Sequence, residues 1–178
     1  MQCYRVSKYN PIHRDSNGVY HSSEWTSFGD IGRLFGGCEL TIEKYNEVEN
    51  GYLQIVMDIL RFCNVSRIII KNLEVSLTVE EIRTYLSDRG VYLNEKEEYI
   101  LKNIQNLHEV QVDDFDILFR LILKECFWCI LYTDKRVFIK FGYDLYVYVF
   151  CEDIPEYILK NRDGVYTERI VRWEHLLL

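Results

Sequence analysis

The last third of the chain contains three runs of aromatic and β-branched residues with short turns between them. The runs cover residues 127–132, 137–141 and 145–150. Runs of this length and composition are typical of β-strands, and short connections join strands that are antiparallel neighbours. This part of the chain therefore predicts an antiparallel meander, and a sheet is the element against which the remaining segments must pack.

The middle of the chain shows helical periodicity. Tyr45, Tyr52 and Val56 belong to a series of apolar residues at three- or four-residue steps, which predicts a helix from Thr41 to Asn64. Residues that commonly cap the N-terminus of a helix mark the start of three further helices, either as a capping pair or as a single residue. They predict helices after Thr78 with Glu81, after Asn94 with Glu97, and after Asp113.

The remaining segments complete an α+β pattern. Residues 67–71 form a continuous β-branched run, which predicts a strand buried on both faces. Residues 2–7 and 165–173 predict the first and last strands, and residues 155–161 predict a short helix. We therefore expect an α+β fold in a single domain over residues 1–178: a mixed sheet with a C-terminal antiparallel meander, packed against several helices.

A long irregular stretch, about residues 9–40, is rich in turn-forming residues. Loops of this length in compact domains are uncommon and often functional. Trp25 is interpreted as an anchor for the loop, with exposed recognition as the alternative. The polar residues around Trp25 make the loop a candidate site, with Arg14, Glu24, Trp25 and Asp30 as its candidate residues. A short helix is expected from about Asp30 to Phe35, with Asp30 as its cap.

Two histidines in this loop, His13 and His21, could join neighbouring carboxylates in a metal or acid–base site. Their spacing matches no ligand signature, so no metal site and no catalytic residue is assigned. The one CxxC pair, Cys126 and Cys129, lies where a helix ends and a strand begins. A redox pair needs the opposite polarity, which favours buried structural cysteines.

Composition excludes several classes of function. The chain has 178 residues, with 21 basic and 28 acidic residues and a net charge of −7. Nucleic-acid binding depends on clustered Lys and Arg, so no nucleic-acid partner is expected. The apolar runs are far shorter than the roughly 20 residues that span a bilayer, so no membrane association is expected. No leader is expected either, and six irregularly spaced cysteines favour a cytoplasmic protein.

Acidic residues concentrate in two segments. Residues 39–58 hold five acids and one base, and residues 94–116 hold seven acids and two bases. Such segments can be solvated helix faces, or together a face that meets a basic partner. The residues proposed to bind that partner are Glu43, Glu47, Glu95, Glu98, Asp113 and Asp114.

The opening of the chain and its aromatic end carry a resemblance to a known group of proteins. The residues concerned are 4–11, 24–27 and 30–32, with Arg14, Gly18 and Tyr20, and the end from 127–129 to 141–144. The pattern resembles that of small uncharacterised bacterial proteins associated loosely with the immunity proteins of toxin systems. The resemblance implies a bacterial, cytosolic, single-domain protein. It carries no catalytic or binding residue over to this chain.

The leading hypothesis is a non-enzymatic protein-binding protein, an immunity-type inhibitor that meets a basic toxin domain through an acidic surface. No phosphate-binding loop, nucleophile elbow or other catalytic motif is present in the sequence, and no cofactor is expected. The alternative is a small enzyme or ligand-binding domain that uses the loop at 9–40. A third option is a homo-oligomer that pairs through an exposed edge of the meander.

Overall fold

The computed structural model describes residues 1–21 and 23–171 and shows, within those ranges, four α-helices, a seven-stranded sheet and a two-stranded hairpin. The strands are β1 (Gln2–Ser7), β2 (Leu34–Phe35), β3 (Cys38–Glu39), β4 (Arg67–Glu74), β5 (Glu109–Gln111), β6 (Trp128–Thr133), β7 (Phe138–Phe141), β8 (Val147–Cys151) and β9 (Tyr166–Ile170). The α-helices are α1 (Ile42–Phe62), α2 (Val79–Ser87), α3 (Glu95–Asn103) and α4 (Phe115–Leu123). Short 3-10 helices span Pro11–His13, Phe28–Asp30 and Val112–Asp114.

The large sheet has the strand order β5-β4-β6-β7-β8-β1-β9. The α+β class and the antiparallel meander, β6-β7-β8, are confirmed. The expected mixed character of the sheet is wrong, because every pairing between its described strands is antiparallel. The cause lies in the segment between β4 and β6. It returns the chain to the end of the sheet at which β4 finished, so that Glu74 pairs with Trp128.

One face of the sheet forms the core with the helices. In β4 the side chains of Ile68 and Ile70 are fully buried, whereas Ile69 between them and Lys71 after them are partly exposed. The expectation that this strand is buried on both faces is therefore wrong. Its run of β-branched residues is typical of a strand that is buried on both faces. Among the described residues, however, the hydrophobic core packs against only one face of β4.

Local start signals for the helices are confirmed. Thr41 caps α1 by accepting from the backbone N–H of Lys44. Complete capping boxes begin α2, with Thr78 and Glu81, and α3, with Asn94 and Glu97. The fourth signal is shifted: Val112–Asp114 forms a 3-10 turn, and α4 starts after it without a side-chain cap.

The meander lies in the interior of the sheet. β4 pairs with one side of it and β1 with the other, and β5 and β9 form the edges of the described sheet. The expected self-association through an exposed edge of the meander therefore loses its structural basis. Strands β4 and β1 produce this result, because they pair with the two outer strands of the meander, β6 and β8.

Three expectations about other segments need correction. Residues 155–161 form turns and no helix, and the final strand is shorter than expected, ending at Ile170. The helix expected from Asp30 is the 3-10 turn Phe28–Asp30, in which Asp30 is the last residue. The expected strand end at Trp173 lies outside the described residues.

The loop at 9–40 contains the hairpin β2-β3, which turns at Gly36 and Gly37. Both glycines have positive φ, 58° and 82°, a conformation that favours glycine in two-residue hairpin turns. Within the described ranges, no helix has the length and apolar character that crossing a membrane requires.

Candidate functional site

The irregular loop is fixed to the body of the protein by buried aromatic residues. Trp25 is 7% exposed and lies 5.6 Å from the ring of Tyr45 on α1, and Phe28 is fully buried beside the same ring. This agrees with the interpretation of Trp25 as an anchor. Such burial holds a loop that has little regular hydrogen bonding of its own.

A buried cation stabilises the same region, which we call the loop anchor (Lys8, Tyr9, Tyr20, Glu24 and Trp25). The Nζ of Lys8 donates to Glu24 at 2.8 Å and lies 4.3 and 4.4 Å from the ring centres of Tyr9 and Trp25. The hydroxyl of Tyr20 donates to the other Glu24 oxygen. An ammonium group between aromatic faces and a carboxylate is favourably placed by both interactions.

The pKa values in the loop anchor reflect this burial. Burial lowers the pKa of Lys8 below its usual value, although Glu24 opposes the effect. Partial burial disfavours the charged form of Glu24, but hydrogen bonds from Lys8 and Tyr20 outweigh it and lower the pKa of Glu24. The lowered pKa of Glu24 favours its ionised form, which lies 2.8 Å from the Nζ of Lys8.

Arg14 also has partners within the protein. Its guanidinium lies 5.4 Å from the ring centre of Tyr20 and 5.5 Å from that of Tyr146. It donates to the Tyr146 hydroxyl at 3.1 Å and lies 3.5 Å from the carboxylate of Glu168 on β9. Arg14 thus joins the loop to the sheet.

Asp30 closes the turn in which it lies. Its carboxylate accepts from the backbone N–H groups of Thr26 and Ser27, at 2.8 and 3.2 Å, and pairs with Arg33 at 2.8 Å. The four candidate residues of the loop, Arg14, Glu24, Trp25 and Asp30, therefore all take part in contacts that hold the loop in place.

The histidines and cysteines show no assembled reactive site. His21 pairs with Asp15 at 3.0 Å on the surface, and no group of three metal-ligating side chains occurs among the described residues. Cys126 and Cys129 are buried, and burial raises the pKa of each thiol to about 12. A thiol with so high a pKa carries little reactive thiolate at neutral pH.

The six acidic candidates form two groups. Glu43 and Glu47 are exposed on α1, whereas Glu95, Glu98, Asp113 and Asp114 lie at the starts of α3 and α4, where Lys96 joins the two segments by pairing with Asp114. The first half of α1 contacts the end of α4, since the Tyr45 hydroxyl donates to the carbonyl of Leu123. The two groups are thus separated by about the length of α4, roughly 13 Å.

Pairing distinguishes the members of these groups. Glu98 bonds to Arg83 and Lys102, and Asp114 bonds to Lys96. The other four, Glu43, Glu47, Glu95 and Asp113, are exposed and take part in no ion pair within the described part of the chain.

A cleft at one end of the sheet was missed by the sequence-based predictions. We call it the sheet-end cleft; it has a volume of about 360 Å³ and opens into an adjoining hollow. Its walls come from the loop at 26–27, the end of β4, the end of α4 with the start of β6, and the turn between β7 and β8. The side chains that matter most for its chemistry are Glu74, Glu125, Trp128, Tyr143, Asp144 and Tyr146.

The turn that forms one wall of the cleft is strained and well supported. Asp144 and Leu145 have φ values of 55° and 58°, in the left-handed region that residues other than glycine rarely adopt. The fully buried Tyr52 stabilises it, because its hydroxyl donates to the carbonyl of Leu145 at 2.6 Å and accepts from the backbone N–H of Lys8 at 2.7 Å. One hydroxyl therefore links this turn to the loop anchor.

The cleft is acidic. Glu74, Glu125 and Asp144 contribute carboxylates, and no Lys, Arg or His is among the described residues that line it. Lys140 lines only the adjoining hollow. The turn at 142–144 was predicted only as a connection between strands. A tyrosine in this turn, Tyr143, was the one sequence feature that could have indicated a site there. Nothing in the sequence linked Glu74 and Glu125 to the turn, because they are distant from it along the chain.

Comparison with known proteins gives no relative for this chain: no protein-family model, no curated protein and no solved structure matches it.

Proposed function

We propose that this protein is a non-enzymatic, cytoplasmic protein-binding protein, an immunity-type inhibitor that binds a basic bacterial toxin domain through its acidic surface. The observation that carries the proposal is a set of exposed carboxylates on the helical layer that have no ion-pair partner among the described residues: Glu43, Glu47, Glu95 and Asp113. Carboxylates of this kind attract a basic partner and orient it during encounter.

The distribution of ion pairs supports this. Most lysines and arginines in the described ranges already pair with a carboxylate of the same chain, as Arg120 and Lys124 do with the buried Glu49. The net charge of −7 is therefore expressed mainly by carboxylates that have no such partner. A surface with this imbalance favours a basic partner over an acidic one.

The loop and the cysteines are consistent with the same proposal. The polar loop residues that an enzyme or ligand site would use, Arg14, Glu24 and Asp30, are engaged in holding the loop. All six cysteines are unpaired, as is usual for proteins of a reducing compartment. The proposal involves no nucleic acid, membrane or cofactor.

The test is a binding titration with a defined partner. The full chain is titrated with the toxin domain encoded by the reading frame beside its gene, at NaCl concentrations from about 50 to about 500 mM. We expect binding that weakens by about tenfold or more over this range, because salt screens exposed charges. Co-expression should also protect cells from the toxin domain.

Charge variants identify the surface. Glu43→Gln with Glu47→Gln, or Glu95→Gln with Asp113→Asn, should weaken binding by about threefold to tenfold through loss of rim charges. Glu152→Gln combined with Glu156→Gln, two exposed carboxylates outside both acidic segments, removes the same charge; it is the matched control and should have little effect. The absence of a neighbouring toxin gene, a lack of binding, or binding that is insensitive to salt would contradict the proposal.

A further inference from the structure

We propose that the sheet-end cleft binds an arginine side chain that a protein partner inserts into it. This deepens the proposed function, on which it rests for the source of the arginine, by naming the residue type that the partner must present. The argument uses the carboxylates of the cleft, its aromatic faces and the support of its turn.

The carboxylates of the cleft come from three distant segments, and no Lys, Arg or His among the described residues lines the cleft with them; Lys140 borders only the adjoining hollow, which Glu74 and Asp144 also line. Glu74, Glu125 and Asp144 are all exposed, and none of them is in an ion pair with another described residue. The hydroxyl of Tyr85 donates to Oε2 of Glu125 at 2.7 Å, which orients this carboxylate and leaves its Oε1 available. Such an arrangement suits a group with several N–H donors and a positive charge.

Aromatic groups line the same space. The indole N–H of Trp128 donates to the carbonyl of Phe141 at 2.9 Å, which fixes the orientation of the ring. Tyr143 is 93% exposed at the mouth of the cleft, an unusual position for so large a side chain. A planar, weakly hydrated guanidinium stacks on aromatic faces and pairs with carboxylates in a way that a lysine ammonium does not, so arginine is the better fit.

Three cations of the chain lie near this cleft but do not line it: Lys140, which lines only the adjoining hollow, Arg5 and Arg14. Arg5 and Arg14 lie over the ring of Tyr146 at 5.4 and 5.5 Å, and both pair with Glu168. They show that a guanidinium and an aromatic ring of this protein combine with a carboxylate in the manner proposed for the cleft. Neither arginine lines the cleft.

The cleft is also preorganised. Its turn from Gly142 to Tyr146 is closed by two backbone hydrogen bonds between Gly142 and Tyr146 and between Tyr146 and Tyr143, at 2.7 and 3.2 Å. Tyr52 holds the strained Leu145 from inside the protein. A rigid site loses less conformational entropy on binding, so even a single side chain can gain measurable affinity there.

The experiment titrates the full chain with a blocked tri-arginine peptide and follows the amide and indole resonances by NMR. Tri-citrulline, a neutral analogue of the same shape, and choline, a free organic cation, are titrated in parallel. We expect tri-arginine to bind with a Kd below about 1 mM and to shift the Trp128 indole and Tyr143 amide resonances. Tri-citrulline and choline should bind at least about tenfold more weakly.

Variants separate the cleft from general charge attraction. Tyr143→Ala, and Glu74→Gln combined with Asp144→Asn, should each weaken tri-arginine binding by about tenfold. Glu152→Gln combined with Glu156→Gln removes the same charge as the second variant, at exposed positions outside the cleft and outside the two acidic segments, and should change binding less than about twofold.

Three results would overturn the inference: no tri-arginine binding up to about 5 mM, equal or tighter binding of tri-citrulline or choline, or an equal effect of the Glu152 and Glu156 variant. If the toxin domain still binds in a salt-sensitive manner in any of these cases, the arginine inference fails while the proposed function stands. If tri-arginine binds the cleft but no toxin domain binds the protein, the proposed function fails, whereas the inference that the cleft binds arginine stands.

Discussion

The loop anchor and the sheet-end cleft use the same chemical groups but differ in one component. The anchor places the ammonium of Lys8 against Glu24 and the rings of Tyr9 and Trp25, and it is buried. The cleft has carboxylates and rings of the same kind around Trp128 and is open to solvent, but no cation of the described chain lines it.

The difference shows that carboxylates placed beside aromatic rings can either stabilise the fold or form a binding site. Where the chain supplies its own cation, the aromatic and acidic groups stabilise the fold and are removed from contact with other molecules. Where the cation is missing, the same groups stay exposed and available, which is typical of binding positions. We therefore expect substitutions in the anchor to lower stability and substitutions in the cleft to lower binding.

The largest effect is expected from Trp25→Ala in the anchor. Removal of this nearly buried side chain should lower the free energy of unfolding by about 3–5 kcal/mol, because it leaves a cavity and exposes the Lys8 ammonium. Urea unfolding measures the change. Trp25→Phe, which keeps a ring beside Lys8, is the control and should lose much less; a loss below about 1 kcal/mol for the alanine variant would remove the distinction between the two regions.

The next effect tests the link between the two regions. Tyr52→Phe removes the hydroxyl that joins the Lys8 backbone to the carbonyl of Leu145, and should cost about 1–3 kcal/mol by leaving buried polar groups unpaired. Amide hydrogen exchange in the turn at 142–146 should also become faster.

Tyr45→Phe is the matched control for that experiment. Tyr45 is equally buried and also donates to a carbonyl, that of Leu123, but has no hydrogen bond to the turn at 142–146. It should lower stability to a similar extent without changing exchange in that turn. Faster exchange in both variants would mean that Tyr52 has no specific role in supporting the cleft.

A smaller effect concerns the pH dependence of the anchor. The pKa of Glu24 is below its usual 4.5 in the folded protein, so its ionised form stabilises the fold above about pH 4.5, and this stabilisation is lost as the pH falls through the lowered pKa. Glu24→Gln should therefore be less stable than the wild type near pH 7, and the gap should narrow in acid. Urea midpoints at several pH values measure it.

A constant gap between the two proteins at all pH values would contradict this assignment. The partner can be checked in the same series: in a Lys8→Met background, Glu24→Gln should have a weaker effect near pH 7 than it has in the wild type. This follows because the ion pair that lowers the pKa of Glu24 is then absent.

The smallest effect on stability is expected in the cleft. Tyr143→Ala should change the free energy of unfolding by less than about 0.5 kcal/mol, since the side chain is almost fully exposed. Urea unfolding measures it beside Trp25→Ala. A loss of more than about 2 kcal/mol would show that Tyr143 supports the fold, and the cleft would then resemble the anchor.

Features that depend on near neighbours in sequence were predicted well. The capping pairs Thr78 with Glu81 and Asn94 with Glu97 form as expected, because each involves residues three positions apart. The meander was also predicted, since its strands are joined by short turns.

Features that depend on distant segments were not predicted. Nothing local to the run at 67–71 shows that one of its faces lies outside the core, and nothing local to the meander shows that β4 and β1 cover its edges. The loop illustrates both cases. Trp25 could be interpreted as an anchor from its own surroundings, whereas its contact with the Lys8 ammonium required the fold.

The amino-acid sequence by itself determined the helices, the meander, the acidic balance and the turn that carries Tyr143, because periodicity, caps and composition act over a few residues. The tertiary structure alone decided that the sheet is antiparallel, and that carboxylates from β4, the end of α4 and the β7–β8 turn converge. Convergence of this kind depends on strand order and helix packing, which bring together side chains that are dozens of residues apart.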